Sequence, residues 1–306
     1  MFILIFNQLL KMLIIMVLAF ICYKVKVVSQ EGNKAVSNLL LMVVNPCLII
    51  TVYQTDYDAR LVKGLLIAFA AACISHVIGI VIARFLIPAK NNPEYCLERF
   101  GAVYSNCGFI GIPLIYSVLG DEGVFYLTAY MAVFNIFTWT HGLSLMEDKF
   151  TFKQLRKGLL SPMIIATLIA VILFFIQFKI PATVLASMNY VADMNTPLAM
   201  MVAGFSVAQA DLKRIFTNFH IYWVSFLKLI AMPLAVAAFL SLTGVSHDIA
   251  YTTLIAAACP TATTTTMMAI RYNRNYTYSS EIFAFTTILS MLTLPFVTFI
   301  AGFLIH

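Results

Sequence analysis

Charged residues are scarce in this sequence. Only 10% of the 306 residues are Asp, Glu, Lys or Arg, whereas 62% are hydrophobic. Soluble globular domains contain about 25% charged residues. So few charges cannot cover a soluble surface, and the composition therefore predicts an all-α polytopic membrane protein in which helices satisfy their own backbone groups within the bilayer.

Cysteines are also few, and none is placed for metal binding. The six lie far apart in the sequence, without a CxxC pair or a neighbouring histidine cluster. The sequence therefore predicts no metal site and no disulfide framework. It contains neither a Gly-rich phosphate loop nor a nucleophile elbow. We expect no cofactor, no ATP-driven pumping and no enzymatic activity.

Long apolar runs are what the chain does have. At about 20 residues per membrane crossing, these runs predict ten transmembrane helices with short connections between them. Their approximate bounds are 3–23, 35–53, 61–87, 98–118, 123–145, 159–178, 183–208, 216–240, 248–270 and 278–304.

Lys and Arg are unevenly distributed over the loops between these spans. About fourteen of the 19 lie in or beside odd-numbered loops, whereas only Arg60, Lys63 and Lys179 lie in even-numbered loops. The positive-inside rule then predicts a multi-pass protein of the cell membrane with cytoplasmic odd loops and both termini on the extracytoplasmic side. The net charge of +6 follows from this bias and is no indication of nucleic-acid binding.

Glycine and proline interrupt two of the predicted spans. The fourth span contains Ser-Asn-Cys-Gly-Phe-Ile-Gly-Ile-Pro at 105–113, and the ninth contains Ala-Cys-Pro-Thr-Ala-Thr at 258–263, about 150 residues later. A proline within a helix removes a backbone hydrogen bond and costs about 3 kcal/mol. Such breaks are tolerated at membrane depth where they line a protein cavity, as in carriers built from repeats.

A second pair of prolines has the same separation. Asn45-Pro46 lies in the second predicted span and Thr196-Pro197 in the seventh, again about 150 residues apart. Each half holds five helices, an odd number, so the second half must be inverted relative to the first. The sequence thus predicts two inverted five-helix repeats, 1–150 and 151–306, with the broken helices 4 and 9 unwound near 110–113 and 260–263 and crossing there.

The chemistry at the breaks favours an anion. A broken span exposes the N-terminus of its second half-helix, where free amides and the helix dipole amount to about half a positive charge. Polar side chains can add directional hydrogen bonds, or they can cap carbonyls that the break has freed. The predicted substrate contacts at the two breaks are Ser105, Asn106, Gly111, Pro113, Pro260, Thr261 and Thr263.

Ionisable residues in apolar spans give further candidates, because a charge at mid-bilayer costs roughly 2.5 to 3.5 kcal/mol. Lys228 lies in the middle of the eighth predicted span, at a position that the 150-residue offset relates to His76. It could bind the second carboxylate of a dicarboxylate, pair with Glu281 or Asp193, or extend to the interface. His76, His141, Asp193 and Glu281 are candidates for proton coupling. Too few oxygen ligands converge for a sodium site, which favours a uniporter or a proton-coupled carrier.

These segments resemble the auxin efflux carrier family, which includes plant auxin exporters and bacterial malate or malonate permeases. The resemblance rests first on Asn106 to Pro113, with the Asn seven residues before the Pro. It rests further on Cys259-Pro260, Ala269-Ile270-Arg271-Tyr272-Asn273 and Thr293-Leu294-Pro295-Phe296. It extends over the whole chain.

The resemblance implies a fold similar to that of bile-acid sodium symporters. Helices 1, 2, 6 and 7 would form a scaffold that dimerises, and helices 3–5 and 8–10 would form a transport domain that moves as an elevator. It also implies that Asn106 contacts a substrate carboxylate and that Asn135, four residues before Trp139, lies at the site. Plant members have a second proline where this chain has Thr265, a difference that argues against auxin itself.

The sequence therefore predicts a secondary transporter that carries small organic anions, such as carboxylates, across the bilayer. Alternatives are an exporter of auxin-like indole acids, a sodium-coupled organic anion symporter, a channel and a non-transporting membrane sensor. A channel would need a continuous polar stripe, whereas the polar residues here cluster at the two breaks. A sensor would normally carry an output domain.

Overall fold

The described chain is helical. A computed structural model describes residues 2–147, 162–210, 212–215 and 218–305, and every regular element within these ranges is a helix. Seven of these helices are long and apolar enough to cross a bilayer. They are α1 (Phe2–Lys24), α2 (Gln30–Val52), α3 (Ala59–Leu86), α5 (Cys107–Met146), α7 (Ala182–Gln209), α9 (Phe219–Ser241) and α12 (Tyr276–Ala301). The shorter helices are α4 (Tyr95–Val103), α6 (Pro162–Phe175), α8 (Leu212–Ile215), α10 (His247–Ala258) and α11 (Thr264–Arg271).

The number of candidate spans differs from the predicted ten at three places. The fourth and fifth predicted spans follow each other without a loop in α5, where two helices meet at a kink at Gly120, whose backbone is non-helical (φ +64°, ψ −154°). The ninth is interrupted between α10 and α11, and α6 has only 14 residues. The seven long apolar helices of the described chain are those of a multi-pass membrane protein. The ten spans and the inverted repeats stay predictions.

Some predictions fall outside the described residues. These are the boundary between the two halves at residues 150 and 151, the start of the sixth predicted span at 159 and the first two residues of the eighth. Four of the cations on which the predicted orientation depends also lie there: Lys149, Lys153, Arg156 and Lys157.

Three of the long helices contain a π-helical turn that ends two residues before a proline. The turns are Leu40–Val44, Cys107–Gly111 and Leu227–Ala231, and the prolines are Pro46, Pro113 and Pro233. In each case the residue before the proline donates its amide to the carbonyl five residues earlier. A proline ring clashes with the carbonyl four residues before it, and the wider turn relieves that clash without ending the helix.

Close packing joins α1 to the second part of α7. At Gly204 a β-carbon would lie only 2.2 Å from the carbonyl oxygen of Met16 and 2.8 Å from the Cβ of Ala19. Only glycine permits this approach, which is the usual way in which small residues bring membrane helices together.

Polar contacts join α2 to the segments around α6 and α7. The buried side chains of Asn45 and Asn195, which are 150 residues apart, share a 2.7 Å hydrogen bond. At the ends of these helices, the Ile180 amide donates to Gln54 and the ammonium of Lys179 lies 2.7 Å from Asp56. Lys179 lowers the pKa of the Asp56 carboxyl. The prolines that predicted a repeat thus lie beside two asparagines in direct contact.

Candidate functional site

The first interruption lies earlier in the chain than predicted. The backbone leaves the helix at residues 104–106, between α4 and α5, whereas Ile110 and Gly111 lie in a π-helical turn and Pro113 in the following α-helix. Unwinding near 110–113 was therefore wrong. The physical reason is that the π-helical turn Cys107–Gly111 relieves the clash of the Pro113 ring with the preceding turn, so the helix continues through the proline.

The second interruption, at residues 259–263, pairs with the first. Ser105 and Thr261 form an isolated antiparallel bridge. The Asn106 amide donates to the Pro260 carbonyl at 2.7 Å, and the Ala262 amide donates to the Tyr104 carbonyl at 2.9 Å. Each break thus satisfies backbone groups that the other has lost, which is what bare backbone at membrane depth requires.

Side chains reinforce this pairing. The Thr261 hydroxyl donates to the Gly101 carbonyl at 2.8 Å. The amino group of Lys228, only 1% exposed, donates to the Ser105 hydroxyl and, at 3.2 Å, to the carbonyl of Ala257 at the end of α10. Lys228 therefore contacts both broken segments, and its partners here are a hydroxyl and a carbonyl.

A cavity of about 980 Å³ adjoins the paired breaks. Both half-helices that follow a break begin on its wall, since Cys107 and Gly108 of α5 and Thr264 of α11 line it. Its buried lining residues include Ser105 and Asn106, and its exposed lining residues on α2 and α11 form the part called here the exposed end. Much of the remaining wall is apolar, including Phe109, Met131, Phe134, Trp139, Met163 and Met267.

Three buried donors on this wall have no partner within the described structure. They are the side-chain nitrogen of Asn106, a residue 3% exposed, and the hydroxyls of Thr138 and Thr264. The amide nitrogen of Asn135, by contrast, already donates to the Met131 carbonyl at 2.8 Å. A buried donor without a partner is costly, so Asn106, Thr138 and Thr264 are the groups that a ligand with acceptor oxygens would satisfy.

The structure brings together four of the predicted substrate contacts. Ser105, Asn106, Asn135 and Thr263 line the cavity. The other five lie outside its wall: Gly111, Pro113, Pro260, Thr261 and Lys228. Gly111 is instead a point of close approach, because a β-carbon there would lie 3.3 Å from the Cβ of Cys107 and 3.5 Å from the sulfur of Cys259.

None of the four coupling candidates lies on the cavity wall. His76 is buried, donates a 2.8 Å hydrogen bond from Nδ1 to the Ala72 carbonyl and stacks on Phe137. His141 contacts the Tyr104 hydroxyl at 3.0 Å. Asp193 is exposed.

Glu281, the fourth candidate, is buried and forms an ion pair of 3.5 Å with Arg214. Glu281 is one of the two carboxylates predicted as possible partners of Lys228, and in the structure it pairs with Arg214 instead. The roles of all four coupling candidates stay predictions.

Sequence reasoning did not single out the polar face of α2. Asn33, Ser37 and Asn38 line the cavity, together with Ser206 and Gln209 of α7. The signal was present, because polar residues recur in α2 at the three- and four-residue spacing of one helix face. A polar stretch at the end of an apolar run is also typical of a helix terminus at the membrane interface. The sequence pattern alone therefore does not mark these residues as part of a site.

Comparison with known proteins identifies the chain. A family model described as membrane transport protein matches residues 4–298. The chain is a member of the auxin efflux carrier family. This member of the auxin efflux carrier family is 21% identical to an uncharacterized transporter of Methanocaldococcus jannaschii, over 92% of this chain and 95% of the relative. It is 25% identical to a protein of Rhizobium meliloti named "Putative malonate transporter", over 71% of each chain. It is also 25% identical to an uncharacterized transporter of Methanothermobacter thermautotrophicus, over 92% of this chain and 94% of the relative.

Proposed function

We propose that this membrane transporter is a secondary carrier of small organic anions, which bind with a carboxylate at the paired breaks. The observation that carries the proposal is the buried, unpartnered amide nitrogen of Asn106 on the cavity wall. A carboxylate would accept its hydrogen bond, and such bonds to a charged group are worth about 1.5 to 3 kcal/mol.

Helix electrostatics support an anion over a cation. The starts of α5 and α11 both border the cavity, and each helix N-terminus favours negative charge by about 0.3 to 2 kcal/mol. Lys228 adds a donor directly behind Ser105. A relative is named as a malonate transporter, which agrees with a carboxylate as the recognised group.

The apolar wall favours a second candidate, an exporter of auxin-like indole acids. Phe109, Phe134 and Trp139 line the cavity, and aromatic side chains of this kind would contact an indole ring favourably. A compact dicarboxylate would leave these rings unused.

We further propose that transport follows an elevator mechanism in a homodimer of the cell membrane. The family resemblance supports a scaffold of the predicted helices 1, 2, 6 and 7, with both termini outside. The cavity has one wall from α2 and α7 and another from the segments around the breaks. Movement of one wall relative to the other would carry the bound anion across.

The test is a panel of acids on the purified full-length protein. Thermal unfolding is measured with malonate, malate, acetate and indole-3-acetate, and with malonamide and indole-3-acetamide as uncharged controls at equal ionic strength. A true substrate at 100 times its Kd should stabilise the fold by about 2.7 kcal/mol, and its amide should not. Saturable counterflow in proteoliposomes must follow for the same acid. Stabilisation by no acid, or by acid and amide alike, would overturn the proposal.

A further inference from the structure

Two cationic side chains line the exposed end of the cavity. Lys34 belongs to the polar face of α2, and Arg271 is the last residue of α11. Within the described ranges neither forms an ion pair with a carboxylate. The carboxylate on the same wall, Glu31, accepts hydrogen bonds from its own backbone amide and from Ser29 at the start of α2. Hydrogen bonds from uncharged donors leave the charge of Glu31 in place, so these two cations and one anion give this part of the described wall a net charge of +1.

Aromatic rings hold the Arg271 guanidinium in place. It lies 5.7 Å from the ring centre of Trp139, which also lines the cavity, and 5.6 Å from that of Tyr272. A guanidinium over aromatic faces keeps the N–H groups at its edge available, and its fork matches a carboxylate. Arg271 is thus oriented by rings while its hydrogen-bond donors lack an anionic partner among the described residues.

This arrangement bears on a dicarboxylate. One carboxylate bound at Asn106 leaves the second in the cavity, where Lys228 is separated from it because its amino group is turned to Ser105 and Ala257 behind the wall. The cations that do line the wall are Lys34 and Arg271. They are therefore the cationic side chains of the described wall that share the cavity with a bound dicarboxylate.

We infer that Arg271, oriented by Trp139, forms with Lys34 a second anion subsite at the exposed end of the cavity, which selects organic dianions over monoanions. The inference rests on the proposed function, since it takes the cavity as the substrate pathway. Coulomb attraction scales with the charge of the ligand. Loss of one cation therefore weakens a dianion more than a monoanion of the same shape.

The experiment compares malonate with monomethyl malonate, which has the same skeleton and one charge fewer. Transport by the full chain is measured in proteoliposomes for wild type, Arg271→Gln and Arg271→Lys, at low and high ionic strength. For Arg271→Gln we expect KM to rise about tenfold for malonate and about twofold for the monoester, with kcat unchanged. Arg271→Lys keeps the charge but lacks the planar fork, so its KM for malonate should lie between those of wild type and Arg271→Gln. The difference should shrink in high salt, because salt screens exposed charges.

Lys24→Gln is the matched control. Lys24 ends α1, also lies over an aromatic ring, that of Phe20 at 5.5 Å, and is absent from the cavity wall. The same loss of charge there should leave both KM values unchanged. Equal KM changes for the two probes in Arg271→Gln, or the same change in Lys24→Gln, overturn the subsite. The subsite is also overturned if the wild-type protein neither transports malonate nor is stabilised by it.

Asn106→Ala separates this failure from that of the proposed function. If Asn106→Ala weakens both probes while Arg271→Gln changes neither, the subsite is wrong and the proposed function stands. If neither variant alters binding of any acid in the panel, the cavity is not the substrate pathway and both proposals fail.

Discussion

At the scale of single residues, a substitution of Asn106 should weaken substrate binding without lowering the stability of the fold. Its amide nitrogen is buried without a partner in the described structure, so Asn106→Ala removes an unsatisfied donor from the fold and should leave the melting temperature unchanged or slightly higher. The same change removes a bond to the substrate carboxylate, and apparent affinity should fall about ten- to a hundredfold. Thermal unfolding and transport measured on one preparation check both directions.

Asn135→Ala is the control for this prediction. Asn135 is the same residue type on the same cavity wall, but its nitrogen is already bonded to the Met131 carbonyl. We expect a smaller loss of affinity together with some loss of stability. If Asn106→Ala destabilises the protein and leaves affinity intact, Asn106 has a structural role.

Lys228 should act through the fold of the breaks. Lys228→Met removes the donor to Ser105 and to the Ala257 carbonyl, which then keep the bond that the Ser105 hydroxyl donates to that carbonyl. The lost hydrogen bonds are worth about 0.5 to 3 kcal/mol each. We expect the affinities for malonate and monomethyl malonate to fall by equal factors. A loss confined to malonate would place Lys228 on the second carboxylate and contradict the position seen here.

The residue types of the site could be predicted from sequence, but their accessibility could not. Asn106 and Thr263 follow from the break motifs, and both line the cavity. Thr261 has the same motif context and faces Gly101 instead. Which hydroxyl faces the cavity depends on how the two breaks pair, a contact between positions about 150 residues apart that local sequence does not specify.

At the scale of elements, prolines control the direction of side chains. Pro233 follows the π-helical turn Leu227–Ala231, which contains Lys228. Pro233→Ala removes the clash that the wide turn relieves, so the helix should close by one residue and rotate Lys228 by about 100°. Transport should fall about five- to tenfold as the contact with Ser105 is lost, and thermal stability should fall as well, because Lys228 loses this buried partner. Initial uptake rates at equal protein amounts measure this.

Pro295 provides the comparison for Pro233. It lies inside α12, and no π-helical turn precedes it within that helix. We expect Pro295→Ala to keep near wild-type transport. Equal transport in the two variants would show that the turn does not position Lys228.

At the scale of the whole molecule, the unequal distribution of Lys and Arg predicts orientation. Single cysteines at Asp56 and Lys90, both exposed and in different loops, test it with a membrane-impermeant maleimide and with wild type as background. Asp56→Cys should be labelled in intact cells and Lys90→Cys only after permeabilisation. The reverse labelling pattern would mean that both termini are cytoplasmic and that Lys34 and Arg271 lie on the extracytoplasmic side.

Hydropathy predicted a polytopic helical protein because repeated apolar runs of bilayer length are typical of membrane-spanning helices. It did not show that the two runs would meet at Gly120 without a loop, or that the first break would precede Gly108, Gly111 and Pro113. Those details depend on backbone groups that find partners elsewhere in the fold. The sequence pattern indicates where a helix is interrupted. It does not indicate which segment provides the missing hydrogen-bond partners.

The bridge between Ser105 and Thr261 has a consequence for biosynthesis. During translation the first break enters the bilayer long before Pro260 has been synthesised. The Asn106 amide, which donates to the Pro260 carbonyl in the folded protein, therefore has no partner at that stage. Until then this segment carries the cost of unpaired backbone in lipid. We expect the nascent first half to stay with the insertion machinery, or bound to a chaperone that supplies acceptors, and to be released when the second half arrives.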